Sequence, residues 1–325
     1  MTAMMLAAVA SEEGLAVREI ARPVPGPGQI LVKVAAAGLN RADLNAAKGA
    51  GVASKDALGK PIGMEWSGTV EEAGSGASGI VVGDVVACSG MGGYAEYAIA
   101  DAGRALPITK ADPVAAAGLP LALMTAHNAL VTEGRFARGQ TVLVHGASSG
   151  VGIATLEIAR LLGASRIIGT STNADKRAKL KDFGAGVIID PSEPNWSRQV
   201  LDATDGKGVD VVVDMVTGPG INETMLATAL HGHIVNVGRL GGTSVDFNLD
   251  LHALRRLNFV GVTFRSRTIE EIRAIAAGIR RDLWAHVEDG SLALPIDRSF
   301  ALSDAIDAHA YMAANRHLGK ILLRP

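Results

Sequence analysis

TVLVHGASSGVG, residues 141–152, is the stretch on which the reading of this chain turns. Val142 to His145 read as a short strand, and the glycines after it open directly into the helical pattern GVGIATLEIARLLG. A strand that turns sharply into a helix collects backbone N–H groups and the positive end of the helix dipole at one point, which suits a diphosphate. Gly146 allows the tight exit from the strand, Gly150 lets backbone approach a pyrophosphate, and Gly152 permits close packing of helix on strand. Ser148, Ser149 and Val151 lie in the same turn and are candidate cofactor-binding residues. Glycine spacing alone also fits an ordinary glycine-rich turn. The next strand, RIIGT at 166–170, arrives after one helix, as a βαβ unit requires, and selects the dinucleotide reading.

The end of that second strand distinguishes the two nicotinamide dinucleotides. An NAD site wants an Asp or Glu on the ribose 2′-hydroxyl about 20 residues beyond the glycines. This chain offers Ser171 and Thr172, followed by Lys176 and Arg177. Two hydroxyls with cations would hold a 2′-phosphate by charge-assisted hydrogen bonds, so NADPH is expected. The plainer alternative is that Asp175, Lys176 and Arg177 are only a solvated helix face.

Working outward, six strand patterns alternate with helical ones: VLVH, RIIGT, GVIID, VDVVVDM, HIVNVG and NFVGVTF. Such alternation makes an α/β domain with a doubly wound parallel six-stranded sheet, and near-continuous Val and Ile match strands buried on both faces. Before it, residues 1–115 are short β-branched runs punctuated by Gly and Pro, with helical composition only in RADLNAAKG, 41–49. One alanine-rich helix, PVAAAGLPLALMTAHNALVTEG, leads into the glycine strand, and a second runs from Ile269 to about Glu288. The tail from Ser303 reads as a helix ended at Gly319 and a terminal strand that completes the first domain. The expected division is 1–115 with 290–325 for a β-rich domain and 116–289 for the dinucleotide domain, with ligands bound in the cleft between them.

Composition narrows the function. The chain has 325 residues, 48% apolar but only 4% aromatic, and a net charge of -2 without a basic block, which argues against nucleic-acid binding. Cys88 is the single cysteine, so an intramolecular disulfide framework and a multi-cysteine zinc cluster are both excluded and a reducing cytoplasm fits. The start lacks the basic region of a secretory signal, its first cation being Arg18, and nothing reaches the roughly 18 uninterrupted apolar residues of a membrane span.

PVPGPGQILVKVAAAGLNRADL, GMEWSGTVEEAGSG, GDVV, GGYAEY, HGASSGVG, VNVGRLGG and HLGKILL stand in an order that resembles the medium-chain dehydrogenase/reductases over nearly the full length. NRADL, FRSR and YMAANRHLGKILL resemble the zinc-independent quinone oxidoreductase branch, which includes the ζ-crystallin-like proteins. The resemblance implies a GroES-like catalytic domain, an inserted Rossmann domain, NADPH as hydride donor, and a homodimer or a pair of dimers. It also implies that Thr125, Ser149, Gly150, Val151, Thr172, Lys176, Gly238, Arg239, Leu240, Phe264, Arg265 and Lys320 fall at or beside cofactor positions. Ser149 stands where glycine is common, and Asp190 where some relatives carry a tyrosine beside the adenosine phosphate.

Zinc enzymes of this resemblance carry a Cys, a His-Glu pair and a further Cys. The corresponding places here are Asn40, Met64 with Glu65, and Leu121, and an amide, a thioether and an alkyl chain do not replace thiolate and imidazole. No metal is expected. Without a Lewis acid, alcohol oxidation is disfavoured, whereas a quinone or α,β-unsaturated carbonyl spreads the charge that hydride creates. Asn40, Asp43 and Asn45 are the candidate substrate-side residues, against the alternative that Asn40 and Asp43 only cap the helix RADLNAAKG. Met64 and Trp66 are candidate cleft walls, and Arg265 and Arg267 either reach the ligands or are solvated.

A short-chain dehydrogenase would need Lys four residues after Tyr, and Tyr94, Tyr97 and Tyr311 are followed there by Ala98, Asp101 and Asn315. An enoyl-thioester reductase and an NADPH-binding protein with little turnover remain as alternatives. The apolar edge strand at 258–264 calls for a partner, and a two-fold dimer through it is expected.

Overall fold

The computed structural model describes residues 3–47 and 58–325. Lys48 and Gly49, the end of the expected helix RADLNAAKG, lie outside the described residues, and its described part is Arg41–Ala47. The chain divides into two compact units, Met1–Ala122 with Thr268–Pro325, and Leu123–Arg267.

The second unit is a six-stranded parallel sheet. Its spatial order is Val187–Ile189, Arg166–Thr170, Thr141–His145, Val209–Asp214, Thr228–Asn236 and Asn258–Gly261. By chain order these are the third, second, first, fourth, fifth and sixth strands, the doubly wound arrangement that binds dinucleotides at the carboxyl ends of its strands where the order reverses. Val142, Leu143, Val144, Ile168, Val212, Val213, Ile234 and Val235 are fully buried, as strands covered on both faces require.

The first unit carries a seven-stranded sheet and a two-stranded one. Gln29–Gly38 is its organising strand, since it pairs antiparallel with Glu65–Ala73, with Tyr97–Asp101 and with the terminal strand Lys320–Arg324. The register sets Gly38 opposite both Glu65 and Leu322, which draws Asn40, Glu65 and Lys320 to one place from three distant parts of the sequence. The architecture is the GroES-like and Rossmann pair that the resemblance implied.

Four local expectations are corrected. The alanine-rich helix before the glycine strand is broken into Pro113–Ala116, Pro120–His127 and a π-helical turn Asn128–Glu133. Pro120 has no N–H to continue an earlier helix, and its ring clashes with the preceding turn. The helix Ile269–Asp282 belongs to the first unit, moving the boundary from 290 to 268. Arg273 pairs with Asp101, Arg280 donates to the Ala105 carbonyl, and Trp284 Nε1 to that of Pro107, all in the first unit. The tail helix is Ala305–Ala313, ending at a left-handed Asn315 rather than at Gly319. Finally, the edge strand is Asn258–Gly261 only, shorter than 258–264, because the chain turns away after Val262. No helix among the described residues is long and apolar enough to cross a membrane.

Candidate active site

In the second unit, the glycine turn has the geometry of an anion cradle. Gly146 has φ +70°, a conformation open to glycine at no cost, and directs the chain out of the strand. Ser149 caps the helix Gly150–Leu161: its Oγ accepts from Gly152 N at 3.0 Å and donates to the Gly146 carbonyl at 2.9 Å. A side chain at Gly152 would collide with the backbone of Gly146 and Ala147, so the absent Cβ sets the helix-to-strand approach. Gly152 N is held by Ser149 Oγ and Ile153 N by the Ser149 carbonyl. Helix geometry therefore leaves the N–H groups of Gly150 and Val151 for an anion, and the residues present fit a dinucleotide diphosphate.

The flanking residues fall at the same carboxyl end of the sheet. Ser148 Oγ and Ser171 Oγ are 3.2 Å apart, which joins the glycine turn to the end of the second strand. Thr172 is exposed beside Ser171, and Asn173 caps the following turn of helix through Lys176 N. Arg177, read from sequence as a phosphate ligand or a solvated cation, is neither in this conformation. Its Nη1 donates to the Ser171 carbonyl at 2.7 Å and pairs with Asp190 Oδ2 at 2.8 Å.

Further along the sheet, Asp214 is buried at the end of its strand and accepts Val216 N and Thr217 N, each at 2.8 Å. Thr217, at φ 50° and ψ -140°, donates its hydroxyl to the Gly238 carbonyl at 2.9 Å. A non-glycine residue in this region is strained and persists only where its surroundings hold it. These bonds fix Gly238, whose missing Cβ avoids the Met215 carbonyl, and with it the run to Arg239 and the exposed Leu240. His145, Asp214 and Thr217 were not singled out from sequence. His145 Nδ1 and Nε2 lie 3.1 and 3.2 Å from the hydroxyls of Thr170 and Thr224, and burial pushes its pKa down. Thr125 is buried in its helix, Phe264 is half-buried, and Arg265 is exposed with its N–H on Thr263 Oγ1. Arg267 is neither solvated nor presented to a ligand: it pairs with Glu133 at 3.0 Å.

In the first unit the polar residues close on themselves. Lys320 Nζ donates to Glu65 Oε1 at 2.5 Å, the Leu39 carbonyl at 2.8 Å and Asn40 Oδ1 at 3.0 Å, which uses all three ammonium hydrogens. Asn40 Nδ2 donates to the same Glu65 oxygen at 2.9 Å, and Leu121 N to the other at 2.8 Å. Lys320 is 4% exposed and Glu65 wholly buried. Lys320 is thus an interior cation and not a group presented to cofactor, and the Asn40 amide faces inward rather than toward a substrate carbonyl.

Asp43 sits beside this cluster. Its Oδ2 accepts Asn40 N at 2.8 Å and the Tyr94 hydroxyl at 2.7 Å, so it caps Arg41–Ala47, while Oδ1 is buried without a partner. Burial raises its pKa to about 7 and raises that of Tyr94 well above the usual phenol value. His309 packs edge-on to Tyr94, and burial depresses it to about 4. Asn45 is exposed and Met64 half-buried, whereas Trp66 is fully buried in the core and walls no open surface. His231 and His233 lie on one strand, and among the described residues no group of three His, Cys, Asp or Glu side chains is placed to hold a metal.

Comparison with known proteins bears on both units. Residues 26–110 match the alcohol dehydrogenase GroES-like domain and residues 150–278 the zinc-binding dehydrogenase domain. The quinone oxidoreductase of Rattus norvegicus is 30% identical over 94% of this chain and 92% of its own length. The mycocerosic acid synthase-like polyketide synthase of Mycolicibacterium smegmatis is 32% identical over 93% of this chain, which spans only 14% of that much longer protein. A mycobacterial protein whose structure was solved with NADPH is 28% identical, with a TM-score of 0.85 over 99% of this chain and 100% of its own.

Proposed function

Since the chain belongs to the quinone oxidoreductase branch of the medium-chain dehydrogenase/reductases, we propose that it reduces a quinone or an α,β-unsaturated carbonyl with NADPH and without zinc. The observation that carries this reading is the Lys320 ammonium among Asn40, Glu65 and the Leu121 N–H, the positions that correspond to metal ligands in zinc-dependent relatives. A carboxylate already paired with an ammonium, an amide and a backbone N–H do not fit zinc, so no step runs through a metal.

NADPH, when bound, supplies the hydride. The N–H groups of Gly150 and Val151 would hold its diphosphate, Ser171, Thr172 and Lys176 would hold the 2′-phosphate, and Gly238, Arg239 and Leu240 are further candidate cofactor residues. Conjugation in the acceptor spreads the charge that hydride delivers, so orientation and hydrogen bonds replace a Lewis acid. The accompanying proton comes from water: the Tyr94 hydroxyl is buried and committed to Asp43, and Asp43 is itself buried.

The test is loss of NADPH absorbance with 1,4-benzoquinone, 9,10-phenanthrenequinone, a simple enone and a crotonyl thioester, run beside NADH. Turnover of the quinones or the enone supports the reading. The 32% identity to a segment of a polyketide synthase favours a second one, reduction of an enoyl thioester, which preference for the thioester would establish. Nucleotide binding with no turnover of any acceptor would leave a binding protein. We also propose a two-fold dimer through Asn258–Gly261, because this edge strand exposes Phe259, and a cytoplasmic setting, which the single cysteine fits. Light scattering showing a monomer at micromolar concentration would contradict the dimer.

A further inference from the structure

The adenosine side of the second unit holds a charge pair that the glycine motif does not require. Asp190 follows the third strand, Val187–Ile189, whose Ile189 lies in register with Thr170 at the end of the second. Ser171 N bonds to the Ile189 carbonyl at 3.3 Å, so the two strand ends are stitched together. Arg177 folds back over this junction and places Nη1 2.7 Å from the Ser171 carbonyl and 2.8 Å from Asp190 Oδ2. Both side chains are largely covered, at 22% and 18% exposure, so the pair is not a loose surface contact. Asp190 is fixed from its other side, since Oδ1 accepts Ser192 N at 3.0 Å and Ser192 Oγ at 2.6 Å.

We propose that Asp190 sets how strongly this chain distinguishes NADPH from NADH, because its carboxylate competes with the 2′-phosphate for Arg177. The inference rests on the dinucleotide reading above. No carboxylate ends the second strand, so nothing there demands a 2′-hydroxyl; the acid of this site stands one strand further out and is aimed at the cation. A 2′-phosphate arriving at Ser171 and Thr172 meets a guanidinium that is already neutralised, and must either draw it from Asp190 or bind beside a like charge. NADH, with a hydroxyl in that place, meets neither cost. Asp190 is thus a specificity-determining residue that narrows the preference for NADPH.

Asp190→Asn tests this with little change of shape, because Asn retains the oxygen that accepts from Ser192 and puts a neutral amide NH2 in place of the charged oxygen that accepts from Arg177. Binding is measured by calorimetry with NADPH, NADH, adenosine 2′,5′-bisphosphate and 5′-AMP, on wild type, Asp190→Asn, Arg177→Met and the double variant. Asp190→Asn is expected to raise the ratio of Kd for NADH to Kd for NADPH roughly three- to tenfold, the range of a partly exposed charge pair. It should improve the bisphosphate by a similar factor and leave 5′-AMP unchanged. Arg177→Met lowers the ratio, and in its background the Asp190→Asn effect shrinks, since the two residues act as one pair. An unchanged or lowered ratio in Asp190→Asn, with wild type binding both dinucleotides, overturns the inference alone. Equal tightening of 5′-AMP overturns it too, by showing a general charge effect. If wild type binds neither dinucleotide, the functional reading fails and takes the inference with it.

Discussion

The two units handle polar groups in opposite ways. The glycine turn of the second unit leaves backbone N–H groups at Gly150 and Val151 without helix partners and keeps side chains out of their way. The Asn40–Glu65–Lys320 cluster of the first unit shuts charged side chains inside, and each ammonium hydrogen finds an acceptor. The first arrangement is built to receive something and the second to need nothing. Under the proposed zinc-free reading, the Lys320 ammonium stands where zinc-dependent relatives place a metal.

Breaking the closed cluster should have the largest effect. Lys320→Met leaves Glu65 buried without its cation, and removal of one partner of such a pair costs about 3–5 kcal/mol. Adding Glu65→Gln to Lys320→Met should recover most of that, because no unpaired charge then remains. Calorimetric unfolding of the three proteins checks the order, and a single variant as stable as the double would show that the pair is not sealed.

The contrast also explains what could be read in advance. The glycine turn is legible because all its parts lie within Thr141–Leu161, where spacing encodes geometry, and the alternation of strands and helices announces the parallel sheet. Glu65 and Lys320 are 255 residues apart, and only the register of Gln29–Gly38 between their strands brings them together. No local pattern marks either as half of an ion pair. The resemblance pointed Lys320 toward the cofactor, and the three interior acceptors show otherwise. Asp43 was legible as a helix cap in NRADL, but its partner Tyr94 was not, for the same reason of distance. The Arg177–Asp190 contact was hidden likewise by the intervening strand.

Asp43 gives the next effect, on the order of a few kcal/mol. Burial raises its pKa from 3.8 to about 7, so the folded state holds a proton that the unfolded state has lost. Its contribution is fully present below pH 3.8 and is lost as pH rises through about 7. Asp43→Asn should therefore flatten the fall in Tm between pH 4 and 8 relative to wild type. His309, depressed to about 4, has the opposite slope over its own range and is common to both proteins. Identical Tm profiles would remove Asp43 from the account.

In the open arrangement the effects on stability are smaller. Gly152→Ala forces backbone apart at Gly146 and Ala147, which should cost about 1–3 kcal/mol and weaken NADPH binding by more than tenfold in a fluorescence titration. Ser149→Ala removes the cap on Gly152 N and should cost about 1 kcal/mol, with a milder loss of affinity. If either variant bound NADPH as wild type does, the glycine turn would not be the phosphate site.

The central claim is that the resident cation of the first unit is the Lys320 ammonium. The direct measurement is NADPH-dependent quinone reduction before and after exhaustive dialysis against a strong zinc chelator, with elemental analysis of the same samples. The account predicts unchanged turnover and far less than one zinc per chain in both. One zinc per chain, with activity lost on dialysis and restored by added zinc, would contradict it.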